Sequence, residues 1–213
     1  MCIRDRGNII MNSDFPVSRC RSRAAYIAAF IGLLQDKTFP EITANEIISR
    51  STYSRASFYR HFRDKYDLAE KMITEEAERY VQMIGTQMLL CSEMSSQEEY
   101  VFQVALKTFQ HVAENTSLYR IILDSRIDGF DLERFCTLAI DFFKKIGQFV
   151  PDKSKSAIDT DFYFYCTTHQ FIRYVCYWEK NNFVQTPEYM AAQAAEMINL
   201  AKPGAFLSGK RLK

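Results

Sequence analysis

Between Arg50 and Lys65 the chain sets five cations, Arg50, Arg55, Arg60, Arg63 and Lys65, against one acid, Asp64. Four aromatic side chains, Tyr53, Phe58, Tyr59 and Phe62, are threaded among them. Guanidinium and ammonium groups at this density suit a polyanion, because each can donate charge-assisted hydrogen bonds to phosphate oxygens. The net charge of +1 hides how the charge is distributed. Residues 19–65 hold 9 Lys or Arg and 4 Asp or Glu, a balance of +5, whereas residues 66–213 hold 16 against 20, a balance of −4. A basic segment joined to a mildly acidic remainder is the electrostatic footprint of a nucleic-acid partner. Arg19, Arg21 and Arg23 add to it at the start of the first helical run, where they oppose the helix dipole and favour an anionic neighbour.

Other chemistry has little to stand on. The sequence has no Gly-rich phosphate loop, nucleophile elbow or paired-carboxylate motif. Its best nucleophile pair is Cys166 with His169, three residues apart on one helix, and the chain is not expected to be an enzyme. Cys2, Cys20, Cys91, Cys136, Cys166 and Cys176 show no C-x-x-C spacing, and His61, His111 and His169 lie far apart, so no disulfide framework, metal or cofactor is expected. The cysteines read as reduced, mostly buried fillers. No run approaches the roughly 18 apolar residues of a membrane span and no signal core follows the N-terminus, so a cytoplasmic location is expected.

The elements that carry these groups should be helices. With 7 Gly and 5 Pro in 213 residues the chain lacks the turns of a many-stranded sandwich or barrel, and the fold class expected is all-α. Hydrophobic spacing and punctuation predict about nine helices: 18–35, 44–50, 55–62, a long one from 64 or 65 to 90, 96–114, 117–125, 132–149, 155–180 and one opening at Pro187. Thr43-Ala44-Asn45-Glu46 and Ser96-Gln97-Glu98-Glu99 both read as capping boxes, and Ser54 as an N-cap. Gly85 marks a potential weak point in the long helix. Two helices of about two turns separated by Ser51-Thr52-Tyr53 have the spacing of a helix-turn-helix. The domains expected are an N-terminal extension (1–17), a helix-turn-helix domain (18–65), a helical domain (66–202) and a C-terminal tail (203–213). Met1–Arg6, MCIRDR, reads as an in-frame translation of a sequencing-library transposase adapter, which would put the native start near Met11.

Ile42-Thr43-Ala44-Asn45-Glu46-Ile47, followed by STYSRASFYRHFRDKYDL from Ser51 to Leu68, resembles the N-terminal domain of TetR-family transcription regulators. The resemblance rests on the aliphatic-Thr opening, the Ser cap of the recognition helix, a small residue and Ser before a hydrophobic-Tyr pair, a terminal aromatic, and Lys at the start of the fourth helix. With the Ala-rich first helix it covers about 50 residues. Thr52 departs from it, standing where the family often has Gly in the turn.

The resemblance implies a double-stranded DNA operator, a homodimer and a small-molecule effector, most simply in a repressor. A constitutive member with no effector, controlled by protein docking, stays open. On the recognition helix Arg55, Ser57 and Arg60 could reach base edges, Arg by bidentate pairing with guanine. Tyr59 and His61 are expected at phosphates, Lys65 and the N-terminus capped by Thr43 as phosphate clamps, and Ser54 as a cap that also touches DNA. Phe58 and Phe62 read as core. For an apolar or aromatic effector the later helices offer Met83, Gln87, Phe102 and Phe109, then Tyr119, Phe135, Phe142, Tyr165 and His169. For a two-fold dimer through the last two helices they offer Tyr174 and Trp178, then Ala191, Ala192, Ala195 and Ile198.

Overall fold

The computed structural model describes residues 17–94, 96–147, 151, 154 and 156–200, and of residues 17–20 and 198–200 the backbone alone. The extension up to Pro16, the C-terminal tail and the side chains of Arg19 and Ile198 lie outside the described residues. Among those described are nine α-helices: α1 (Val17–Asp36), α2 (Ala44–Ser51), α3 (Arg55–His61), α4 (Lys65–Leu90), α5 (Gln97–Glu114), α6 (Thr116–Leu123), α7 (Leu132–Ile146), α8 (Thr160–Lys180) and α9 (Pro187–Leu200). A 3-10 turn, Phe39–Glu41, lies between α1 and α2. The chain forms two compact units, one ending at Leu68 and one starting at Ala69. No described helix is long and apolar enough to cross a membrane.

Three departures from the expected elements have local causes. Helix α7 stops at Ile146, short of 149, because Gly147 turns left-handed (φ 66°) and its N–H bonds the Phe143 carbonyl. Helix α8 starts at Thr160 instead of 155, where the Asp159 carboxylate accepts the Phe162 N–H at 2.9 Å. The Ser96 box is only half formed: Ser96 Oγ accepts the Glu99 N–H, but the Glu99 carboxylate accepts instead from Gln103 Nε2 at 2.7 Å. Helix α4 runs unbroken through Gly85.

In the first unit α1 packs on α2 and α3. Tyr26 of α1 is fully buried, its ring edge-on to Phe58 (5.2 Å) and Phe62 (6.4 Å), and its hydroxyl donates to the Ser54 carbonyl at 2.9 Å. Phe58 and Phe62 are thus core residues. Arg50 turns away from the basic cluster. Its guanidinium lies over Gly32, where an added Cβ would meet it at 3.0 Å, and reaches Asp36 at 3.4 Å.

Thr52 ends α2 in the left-handed region, at φ 63° and ψ 10°. A β-branched side chain there clashes with the following carbonyl at a cost of about 1–2 kcal/mol, more than the conformational entropy that glycine loses on folding. Thr52→Gly is therefore expected to stabilise the first unit by about 0.5–1 kcal/mol, read as a raised midpoint in urea denaturation.

In the second unit α5 and α9 form the most extensive helix seam, with Ala191, Ala194 and Ala195 buried. Small residues allow that approach. Trp178 is buried edge-on to Phe109 (5.5 Å), and its indole N–H donates to the Gln185 carbonyl at 3.0 Å. One polar cluster interrupts this apolar packing. Glu76 of α4, 1% exposed, is held by His111 Nε2 of α5 at 2.6 Å and by Arg79 at 2.8 Å.

Candidate nucleic-acid interface and interior cavity

Helix α3 is short, so its faces sort cleanly. Ser54 Oγ accepts the Ser57 N–H at 3.2 Å and starts the helix. Ser57 and Phe58 then point inward, while Arg55, Ala56, Tyr59 and Arg60 are exposed. Arg55 is not a loose side chain. Its guanidinium donates to Asn45 Oδ1 of α2 at 2.6 Å and lies over the Tyr59 ring at 5.3 Å, which aims it along the outer face of the helix pair. Asn45 is a contributor that the sequence pattern alone did not single out.

The Thr43 box forms completely, with Thr43 N–H donating to Glu46 Oε2 at 2.8 Å and Thr43 Oγ1 accepting the Glu46 N–H at 3.3 Å. Lys37 bonds the same carboxylate. That hydrogen bond, with those from Thr43, holds the Glu46 carboxyl at about 2. Glu46 therefore stays anionic through the physiological range.

Three of the expected DNA contacts are placed elsewhere. The Ser57 hydroxyl belongs to the buried face and is not offered to base edges. His61 is half-buried, its Nε2 at 2.9 Å from Ser22 Oγ and its ring against Tyr26, so it ties α3 to α1. Lys65 Nζ donates to the carbonyls of Phe39 (2.8 Å), Pro40 (3.0 Å) and Ile42 (2.8 Å), spending all three protons on the backbone ahead of α2. Charge-assisted hydrogen bonds of this kind stabilise a fold more than a solvated lysine would. Lys65→Met is expected to cost the first unit about 1.5–3 kcal/mol in thermal denaturation. A phosphate clamp would instead leave stability unchanged and lower the salt slope of DNA binding by about one.

The second unit holds a partly open cavity of about 300 Å³. Its walls come from α4, α5, α7, α8 and α9, and aromatic rings dominate them, among them Tyr100, Phe143, Tyr163, Phe164 and Phe171. The polar groups on the wall are hydroxyls and amides, including Thr108, Thr168, Gln97 and Gln170.

Two family models match the chain: "Bacterial regulatory proteins, tetR family" over residues 27–72, and "Transcriptional regulator C-terminal region", a TetR C-terminal model, over residues 99–200. The chain belongs to the TetR family. It is a DNA-binding transcriptional regulator. It is 25% identical over 176 residues to an uncharacterized HTH-type transcriptional regulator of Haemophilus influenzae, covering 82% of this chain and 78% of that one. Among solved structures it is similar to the fatty acid degradation regulator FadR of Bacillus halodurans (TM-score 0.62, 14% identity, 91% of this chain and 100% of that one). It is also similar to FadR of Bacillus subtilis, solved in complex with stearoyl-CoA (TM-score 0.56, 13% identity, 82% of this chain and 96% of that one).

In this TetR-family chain the cavity is built by α4, α5, α7, α8 and α9, and none of the nine residues expected to line an effector site is on its wall. Neither Met83 nor Phe142 lines it; both pack on the core cluster around Val81 and Phe143. Gln87 bonds Cys91 Sγ, Phe102 is half-buried outside the cavity wall, and Phe109 is spent on Trp178. Tyr165 is exposed and stacks on His169, which faces Glu133 at 3.1 Å. Tyr119 and Phe135 border only a small adjoining void. The wall of α5 is Tyr100, Val101, Val104 and Thr108, and that of α8 includes Tyr163, Thr167 and Thr168. A shift of one or two positions around a helix turns a side chain by about 100° per residue, enough to move it off the wall.

The dimer residues divide similarly. Trp178, Ala191 and Ala195 are buried in their own unit and so are not offered to a second chain, while Tyr174 is half-buried on the cavity wall. Ala192 alone of the described set is exposed, and the Ile198 side chain lies outside the described residues. The outer face of α9 also carries Tyr189 and Met197, and that of α8 carries Phe162, Tyr165 and Tyr177. Of the cysteines described, Cys91 and Cys136 are buried, and burial pushes the Cys136 thiol up to about 12, which suits an inert filler.

Proposed function

We propose that this regulator is a cytoplasmic repressor that binds a pseudo-palindromic operator as a homodimer and is released by a small apolar or aromatic effector. One observation carries the DNA half: Arg55, Tyr59 and Arg60 share the open face of a capped α3, with Arg55 already oriented by Asn45. Two such helices related by a two-fold axis would enter successive major grooves about 34–36 Å apart. The outward stripes of α8 and α9, with Tyr177, Tyr189 and Ala192, are the surface we assign to the dimer.

The aromatic-walled cavity supports an effector over constitutive binding, and the Bacillus subtilis relative with stearoyl-CoA is a neighbour in fold that holds a lipid-like ligand. An effector releases DNA only if it binds the low-affinity arrangement more tightly, and DNA must then weaken the effector by the same factor. Selection of bound fragments from the native genome, followed by a salt titration on the recovered site, tests the reading. A site of two inverted half-sites whose affinity falls steeply with salt is expected, and affinity indifferent to salt would refute it. A Tyr177→Glu, Tyr189→Glu variant should sediment as a monomer and lose the site.

A further inference from the structure

The wall of the cavity in the second unit carries no Asp, Glu, Lys, Arg or His. A charge enclosed by it would lose its solvation with nothing of opposite sign to replace it. The buried charge of this unit is spent elsewhere, since Glu76 meets His111 at 2.6 Å and Arg79 at 2.8 Å, and none of the three lines the cavity. The titratable groups that do line it are tyrosines. Burial pushes the Tyr80 phenol up to about 12 and raises those of Tyr100 and Tyr163, so these three stay neutral.

The depth of the cavity and its opening differ in polarity. Ile84, Val104, Phe143, Phe164 and Ala194 are buried, and of the lining residues only Gln97 and Gln170 are exposed, which places these two at the opening. Both are neutral amides, and Gln170 Nε2 donates to the Tyr174 hydroxyl at 2.7 Å. Helix α5 begins at Gln97 and its N-terminus would attract an anion, but Glu98 and Glu99 in its first turn offset that potential. The volume is small. At about 30 Å³ per heavy atom in liquid packing, a cavity of about 300 Å³ holds about ten such atoms, the content of one or two rings. Aromatic side chains from α4, α5, α7 and α8 face it, and a rigid ring meets them with less entropy lost than a flexible chain.

We propose that the cavity selects its ligand by charge state, taking a compact aromatic effector of one or two rings in its uncharged form and rejecting the anion and the cation of the same skeleton. This rests on the effector reading above and deepens it, because aromatic acids and amines have the same shape as their neutral forms and shape alone would admit all of them. Desolvation makes the distinction. A weak acid enters only as the fraction that is protonated, so the response to it strengthens as pH falls, and the response to a weak base strengthens as pH rises.

The test uses the full chain and two probes of the size the cavity admits, each titrating close to neutrality. 4-Nitrophenol is a weak acid whose anion has its own absorption band, and 4-phenylimidazole is a weak base. Binding is expected to raise the pKa of the nitrophenol and lower that of the phenylimidazole by at least about one unit, a ten-fold preference for the uncharged form in each case. The first shift is read as loss of the phenolate band at constant pH, the second from calorimetric affinities across the titration range of the base. Met88→Lys sets an ammonium on the half-buried α4 wall and should cancel or reverse the nitrophenol shift. Val101→Trp fills the cavity and should abolish binding of both probes, with a cooperative melting transition retained in each variant. Nitrophenol that binds with its phenolate band intact, phenylimidazole that binds as the cation, or a nitrophenol shift that Met88→Lys leaves unchanged overturns the proposal. If Val101→Trp still abolishes the binding in those cases, the effector reading of the cavity stands without the charge selection. No binding of either probe, or binding indifferent to Val101→Trp, removes both.

Discussion

Glu76→Ala is expected to destabilise the second unit by about 3–5 kcal/mol, a large part of the roughly 5–15 kcal/mol that holds a domain folded. The carboxylate is buried between α4 and α5 and meets both His111 and Arg79. Removing it strands the buried His111 ring, opens a cavity and leaves Arg79 with only solvent. The cost lies in the abandoned partner more than in the lost pair, which a double replacement exposes. Glu76→Leu with His111→Leu should recover most of the loss, because an apolar pair of similar volume needs no compensation there. Urea denaturation of both single variants and the double gives the coupling, expected at above about 1 kcal/mol. A Glu76→Ala loss below about 1 kcal/mol would mean that water reaches the carboxylate.

The second large effect is on the operator. Arg55→Ala and Arg60→Ala are each expected to weaken specific DNA binding by about 1–3 kcal/mol, roughly 5- to 150-fold, with little change in fold stability because both side chains are exposed. The two should differ in kind. A variant that loses affinity only for the native site, and so relaxes sequence preference at one position, identifies a base reader. One that loses affinity uniformly and lowers the salt slope by about one identifies a phosphate contact. Asn45 holds Arg55 at 2.6 Å, so Asn45→Ala is expected to reproduce a fraction of the Arg55→Ala loss through orientation alone.

The residues whose role is local were legible from the sequence. Thr43, Glu46 and Ser54 cap helices through contacts three residues away, as their spacing predicts, although the same pattern at Ser96 forms only half its box. Phe58 and Phe62, read as core, are buried, and Tyr59, read as a surface contact, is exposed. Lys65 and His61 were not legible in this way, since their partners lie at Phe39–Ile42 and Ser22 and no local signal announces a contact across that separation. Helix α8 defeats periodicity for another reason. Aromatics fall on every side of DFYFYCTTHQFIRYVCYW, so no single stripe stands out, and the face turned to the cavity is chosen by α4, α5 and α7.

The grip of Lys65 on the carbonyls of Phe39, Pro40 and Ile42 has a mechanical side. The first residue of α4 is fastened to the peptide segment that leads into α2, so the two behave as a crank and its connecting rod. A rotation of the base of α4 would therefore draw on the start of α2. The Arg55–Asn45 bond would carry such a displacement from α2 to α3.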